Sequence, residues 1–171
     1  MSGLEIRTYR PGDAAEVVRI NASAAHWTSE MSAERWHELA GMAALVLVAE
    51  VGGTVVGFVL VLGDDAPYDS DNYGWFRDRV RRFCYVDRIV VDERARGTGA
   101  GRALYAAVAR WGREHDYAWV AAEVVQEPPN AVSLAFHERM GYRVVGTKPH
   151  ADKQLAMFLL PLEPTEADEG R

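Results

Sequence analysis

The chain has 171 residues, 49% of them hydrophobic, a formal net charge of -6 and a single cysteine. That length suits one compact domain with one core, and the apolar content excludes a disordered chain. The acidic balance speaks against DNA or RNA, whose phosphates call for clustered Lys and Arg, and suits a cationic amine; a lone cysteine excludes an intramolecular disulfide and a Cys-rich zinc site.

The opening stretch "MSGLEIRTYRPGD" lacks a signal-peptide pattern. The longest apolar run, "MAALVLVA", is too short to span a bilayer, so the expectation is a cytoplasmic protein with no membrane partner. "LEIRTY" reads as a first strand, and "PGDAAEVVRINASAA" as a helix with Asp13 as cap and Val17, Val18 and Ile20 on one face. A second helix covers "SAERWHELA". "AALVLVAE" and "VVGFVLVLG" flank a Gly-Gly turn and form a hairpin. Residues 63–79, "GDDAPYDSDNYGWFRDR", read as a long polar and aromatic loop of the kind that carries function.

"FCYVDRIVV" is the next strand, with Cys84 as a core thiol. Ala100, Ala103, Leu104, Ala107, Val108 and Trp111 then recur at helical spacing and define one face of an amphipathic helix. "AWVAAEV" is a strand, "EPPN" breaks the chain, and "AVSLAFHERM" is a short helix stopped by Gly141. "YRVVGTK" and "QLAMFLLPL" are closing strands. The expected order is β-α-α-β-β-β-α-β-α-β-β, an α/β fold with a mixed, mostly antiparallel sheet and helices on both faces. Residues 1–162 make one domain, and "EPTEADEGR", 163–171, is a loose acidic tail. Trp27, Trp36 and Trp119 are expected in the core. The histidines show no ligand spacing, and no metal is assigned.

Residues 94–105, "RARGTGAGRALY", carry the strongest chemical signal. A Walker A loop would need a Lys that is missing. A dinucleotide fingerprint would need Gly or Ala at 102 or 104, where Arg102 and Leu104 stand. A flexible turn is the plain alternative. A strand, then Arg-Gly-x-Gly-x-Gly, then a helix exposes backbone N–H groups at a helix N-terminus, where glycines let a pyrophosphate approach. Arg96 and Arg102 add charge.

At this point the sequence resembles the GNAT superfamily of N-acetyltransferases. "IVVDERARGTGAGRALY" is similar to its acyl-CoA motif, here Arg96-x-x-Gly99-x-Gly101. "NAVSLAFHERMGY" is similar to its second motif, with Asn130 and Gly141-Tyr142 in place and His137 where the family usually has Tyr. "YDSDNYGWF", "YVDRIVV" and "PPNAVSLAFHERMGY" resemble a bacterial subgroup of these enzymes. The resemblance covers roughly residues 4–162 and implies the GNAT-like acyl-CoA N-acyltransferase fold.

It also implies acetyl transfer from acetyl-CoA, without a metal, to an amine of a small molecule or peptide. A homodimer is compatible with it. The implied acetyl-CoA site comprises Ile89, Val90, Val91, Arg96, Gly97, Thr98, Gly99, Ala100, Gly101, Arg102, Asn130 and Ser133. A lysine-like amine, with a pKa of about 10.4, is neutral in on the order of one molecule in a thousand at pH 7, so a base must take its proton. Glu123, an acid within an apolar strand, is the candidate base, or else one half of an ion pair with an Arg. Asp87 is the rival, sharing a strand face with Ile89 and Val91, or else pairing with Arg88. His137 lies off the centre of its helix's apolar face and is available to a cleft, as an acid for the leaving thiolate, as a group that positions CoA, or as a structural side chain. In residues 63–79, Asp64, Asp65, Asp69 and Asp71 beside Tyr68, Tyr73 and Trp75 suit a cationic amine, with a solvated surface loop as the alternative. The rival reading of the whole is a non-catalytic domain that binds acyl-CoA as a sensor.

Overall fold

A computed structural model describes residues 3–24 and 26–162. The fold is mixed α/β. Its strands are β1 (Leu4–Thr8), β2 (Leu45–Val51), β3 (Thr54–Leu62), β4 (Phe83–Val91), β5 (Trp119–Glu127), β6 (Arg143–His150) and β7 (Lys153–Pro161). Its helices are α1 (Ala14–Ser23), α2 (Ala33–Met42), α3 (Asp71–Arg77), α4 (Ala100–Glu114) and α5 (Ala131–Arg139). The strands hydrogen-bond in the order β1-β2-β3-β4-β5-β7-β6. Pairing is antiparallel for β1–β2, β2–β3, β5–β7 and β6–β7, and parallel for β4–β5.

The described residues fall into two compact units, those within 1–68 and 86–107 and those within 69–85 and 108–171. In the first unit, β2 and β3 form the expected hairpin through a turn in which Gly52 and Gly53 take φ of 57° and 80°. Ser32 caps α2 by accepting from the Arg35 amide at 3.1 Å. Asp13 accepts from the Arg10 amide at 2.8 Å and closes a 3-10 turn at Pro11–Asp13, just before α1. Arg7 holds the same carboxylate through two bonds of 2.9 Å and keeps it below the usual carboxylate range. Trp36 fills the core, with its Nε1 donating to the Tyr9 hydroxyl at 3.0 Å and Phe58 meeting its ring edge. Trp27, expected in the core, is instead 42% exposed beside His26.

The second unit holds the one element that the sequence reading lacked. Residues 71–77, expected as loop, form α3. Ser70 caps it through the Tyr73 amide, Asp71 lies in its first turn and Arg77 in its last, as the helix dipole favours. Tyr73 and Phe76, three residues apart, are both buried and pack on Phe83 and Tyr85. Cys84 is buried, as expected.

Gly57 shows how tightly β3 and β4 approach in the first unit. A Cβ built there meets the Val90 carbonyl oxygen at 3.0 Å and Val91 Cα at 3.4 Å, both backbone atoms that would have to give way to admit it. Gly57→Val should therefore destabilise the protein by about 1–3 kcal/mol, read as a lower urea midpoint. A midpoint equal to wild type would show that the strands can part.

Candidate functional site

The first unit carries the glycine stretch. β4 alternates, with Val90 buried and Ile89 and Val91 half-buried. At its end the Asp92 amide donates to the Val56 carbonyl at 2.7 Å. The buried Asp92 carboxylate accepts from the Arg94 amide and side chain and from Arg19 at 2.9 Å. Hydrogen bonds from Arg94 first, then Arg19, hold it far below the usual carboxylate range. This anchor turns the chain through a 3-10 turn at Glu93–Ala95, and Thr98 closes back on the Ala95 carbonyl with its hydroxyl at 2.6 Å.

Gly97 and Gly99 then take φ of 80° and 82°, the left-handed region that a Cβ disfavours, and nothing lies within 4 Å of where a Cβ would stand on either. α4 starts immediately after, and the first bond of its ladder from this loop runs from the Ala103 amide to the Gly99 carbonyl at 3.0 Å. The amides of a helix's first turn have no intrahelical partner. Ala100 is buried and anchors the turn, Gly101 is half-buried, and Arg96 and Arg102 are exposed. The result is an open backbone concavity at a positive helix end, flanked by two arginines. It fits a phosphate group on the chemistry of its donors and on the space above its glycines.

Asp87 is in this unit too. It pairs with Arg88 at 2.8 Å, each side chain 6% exposed, and accepts from the Tyr68 hydroxyl at 2.7 Å. Arg88 goes on to Asn21, Ser29 and Met31. Burial and then the Asp87 charge push the Tyr68 phenol above its usual range. Tyr68, expected in a loop open to an amine, is thus a buried partner of Asp87, with the Arg35 guanidinium 5.9 Å from its ring.

In the second unit, Glu123 on β5 is half-buried. Its Oε1 accepts from the Tyr85 hydroxyl at 2.7 Å and from Asn72 Nδ2 at 3.2 Å. Tyr73 is fully buried in the aromatic cluster, a core side chain rather than a loop one. Trp75 lies 4.2 Å below the Arg79 guanidinium and occupies the space over Gly146, where a Cβ would stand 2.7 Å from its ring. Asn130 caps α5 through the Ser133 amide at 3.4 Å.

His137 is 4% exposed. Its Nδ1 lies 2.7 Å from the Ser133 carbonyl, and its ring stacks on Phe158 and meets the edge of Tyr142. The expected side chain available to a cleft is therefore an interior one. The reason is that the aromatic residues of β7 and of the turn after α5 close over it. Tyr85, Asn72 and Asp92 escaped the sequence reading, whereas Arg88 was named there as a partner of Asp87. The only trace of the first two was the aromatic and polar pattern of "YDSDNYGWF" and "FCYVDR".

Among the described residues, no three His, Cys, Asp or Glu gather to hold a metal ion, and no helix is long and apolar enough to cross a membrane.

Comparison with known proteins is consistent with this geometry. A family model described as the acetyltransferase (GNAT) family matches residues 14–142. No curated protein matches the chain. Among solved structures, Ard1 from Thermoplasma volcanium is similar at 23% identity, TM-score 0.75, over 94% of this chain and 99% of that one. The yncA protein of Salmonella typhimurium, solved with its cofactor acetyl-CoA, is similar at 22% identity and TM-score 0.73, over 99% and 100%. The ribosomal-protein-S18-alanine N-acetyltransferase from Escherichia coli is similar at 17% identity and TM-score 0.72, over 96% and 97%. At these identities the likeness is one of fold.

Burial lowers the His137 pKa from its ordinary value of about 6.5, against a smaller raising effect of the bond at the Ser133 carbonyl. The folded state thus binds a proton less readily than the unfolded chain. Its contribution is complete above about pH 6.5 and is lost as pH falls through that value toward the lower folded pKa. Urea midpoints of wild type should therefore drop between pH 7 and pH 5 more steeply than those of His137→Phe. Parallel curves would mean that the folded protein accepts the charge without cost.

Proposed function

Since the chain belongs to the GNAT acetyltransferase family, we propose that it transfers an acetyl group from acetyl-CoA to a primary amine of a small molecule or peptide, by direct attack of the amine on the thioester. The observation that carries this reading is the cradle, with Gly97 and Gly99 in left-handed conformation and open space above both at the start of α4. Backbone amides from Arg96 to Arg102 would hold the pyrophosphate of acetyl-CoA, with Arg96 and Arg102 adding charge. When bound, acetyl-CoA would supply an activated acetyl carbon, to which the amine nitrogen bonds as the carbon–sulfur bond breaks and CoA leaves as the thiolate, which takes a proton from solvent.

The chain's own part begins with the proton of the attacking amine. Glu123 takes it as general base. Two neutral donors hold this carboxylate, so protonating it strands neither of them as a buried charge. Asp87 is a poorer base, because its proton would break an ion pair with the buried Arg88. His137 is neutral in its interior setting, which supports a positioning role for α5 rather than acid catalysis. Ser133 and Asn130 belong to the same helix start. The acceptor is read by side chains rather than by the backbone. The acidic protein with exposed Asp65, Asp69 and Asp71 suits a cationic one.

Gly99→Val puts a branched side chain at a φ of 82° and into the cradle. Acetyl-CoA binding should vanish in calorimetry while far-UV circular dichroism is unchanged, and retained affinity would refute the cradle. Glu123→Gln should lower kcat by about 10²–10⁴ and spare acetyl-CoA binding, followed as free-thiol release with a panel of amines. A near-normal rate would pass the role to Asp87 or to water. Binding without thiol release by wild type from any amine would favour the sensor reading.

A further inference from the structure

Two hydrogen bonds to Glu123 come from residues 38 and 51 positions away in the chain, and both depend on α3. Asn72, in the first turn of α3, donates directly. Tyr85, 1% exposed on β4, donates a hydroxyl whose aim is fixed by the rings of Tyr73 at 5.5 Å and Phe76 at 5.8 Å, both on α3. Asn72 also leaves its Oδ1 buried with no partner among the described residues. An unsatisfied buried carbonyl is costly, and such a cost in a native protein calls for an explanation. Turning the amide over would satisfy nothing at Glu123, because an oxygen would then face a carboxylate oxygen. The side chain forgoes one hydrogen bond and keeps its N–H on the acid.

We propose that α3 is a positioning platform for Glu123, with Tyr85 and Asn72 as positioning residues that hold its carboxylate oriented and ionised. This rests on the reading of Glu123 as the base. Donors to the charged form of an acid lower its pKa. Burial of its Oε2 acts in the opposite sense, and the donors work against it. Met157 lies across the ladder on β7 and Phe158 follows it, neither ionisable. On α3 the charged Asp71 and Arg77 are exposed, with Arg77 lying over the outer face of Tyr73. On α5 the buried His137 is directed to the Ser133 carbonyl, and on β5 itself Glu127 is exposed. A helix formed by only seven residues can thus set the proton affinity of an acid on a distant strand.

The test is a carbon-detected NMR titration of the Glu123 side-chain carboxyl in the full chain, its signal assigned by its loss in Glu123→Gln. It is paired with the pH profile of kcat/KM for an amine that wild type acetylates. Tyr85→Phe and Asn72→Ala should each raise the Glu123 midpoint by about one unit and move the acid limb of the profile up with it. Asn72→Asp, which sets a like charge in place of the donor, should raise it further. A merely structural role would lower stability and leave the midpoint alone. If Tyr85→Phe does not fold, the two Asn72 variants carry the test, since that residue is on a half-exposed helix start. Unmoved midpoints in folded variants, with Glu123→Gln inactive, would overturn the platform while the base stands. Moved midpoints with Glu123→Gln still active would overturn the base, and the positioning role with it.

Discussion

A guanidinium taken out of water has to take its counter-charge with it, and Arg88 is where that rule governs the first unit. Arg88 and Asp87 are adjacent in the chain and equally buried. The remaining donors of Arg88 reach the Asn21 side-chain oxygen, the Ser29 carbonyl and hydroxyl, and the Met31 sulfur. Asn21, fully buried on α1, returns a bond to the Ser29 carbonyl at 3.1 Å. One ion pair therefore ties α1 and the start of α2's approach to β4, and Tyr68 closes the other side of Asp87. Losing the cation would leave a carboxylate buried with a phenol for company. Losing the acid would strand the guanidinium. Either loss is of the kind that costs several kcal/mol, roughly 3–5, because the survivor has no water to fall back on.

Asp92, Asp87 and Glu123 each sit in a polar network and meet three different fates. Asp92 faces two arginines and stays ionised far below the usual range, so it works as an anchor for the turn into the glycine loop. Asp87 is committed to a buried cation. Glu123 is held by a phenol hydroxyl and an amide. Only for the last does uptake of a proton leave those partners neutral. The distinction between anchor, strut and proposed base thus comes from the charge of the partner rather than from the acid itself, and all three look alike as single letters in a sequence.

That explains what could be read in advance. The strands, the hairpin and the face of α4 from Ala100 to Trp111 were legible because burial imposes a period on neighbouring residues. The glycine stretch was legible because a left-handed φ at Gly97 and Gly99 demands a residue type. α3 was not, since seven residues with two buried aromatics, Tyr73 and Phe76, and an internal Gly74 are too short to show a period. Trp27 misled because size alone suggested the core, whereas it lies beside His26 in the stretch between α1 and α2. The fate of Glu123 was illegible because its partners are fixed by strand pairing and by α3, dozens of residues away. His137 misled in the same way, since Phe158 from β7 and Tyr142 complete its enclosure.

The same contrast separates the two halves of the reaction proposed for this fold. A donor cradle made of backbone amides asks only for glycines at a few φ angles and a helix behind them. Such a cradle constrains few side chains, and the fold that carries it here is similar to structures that share 17–23% of its residues. An acceptor is discriminated by side chains, each free to change without disturbing the backbone that carries it. α3 acts through side chains as well. Its aromatic residues are buried by the fold, and Asn72 keeps an N–H on Glu123 while its own Oδ1 is buried without a partner among the described residues. Where a side chain bears a cost that folding does not require, the chemistry it serves is the place to look for the reason.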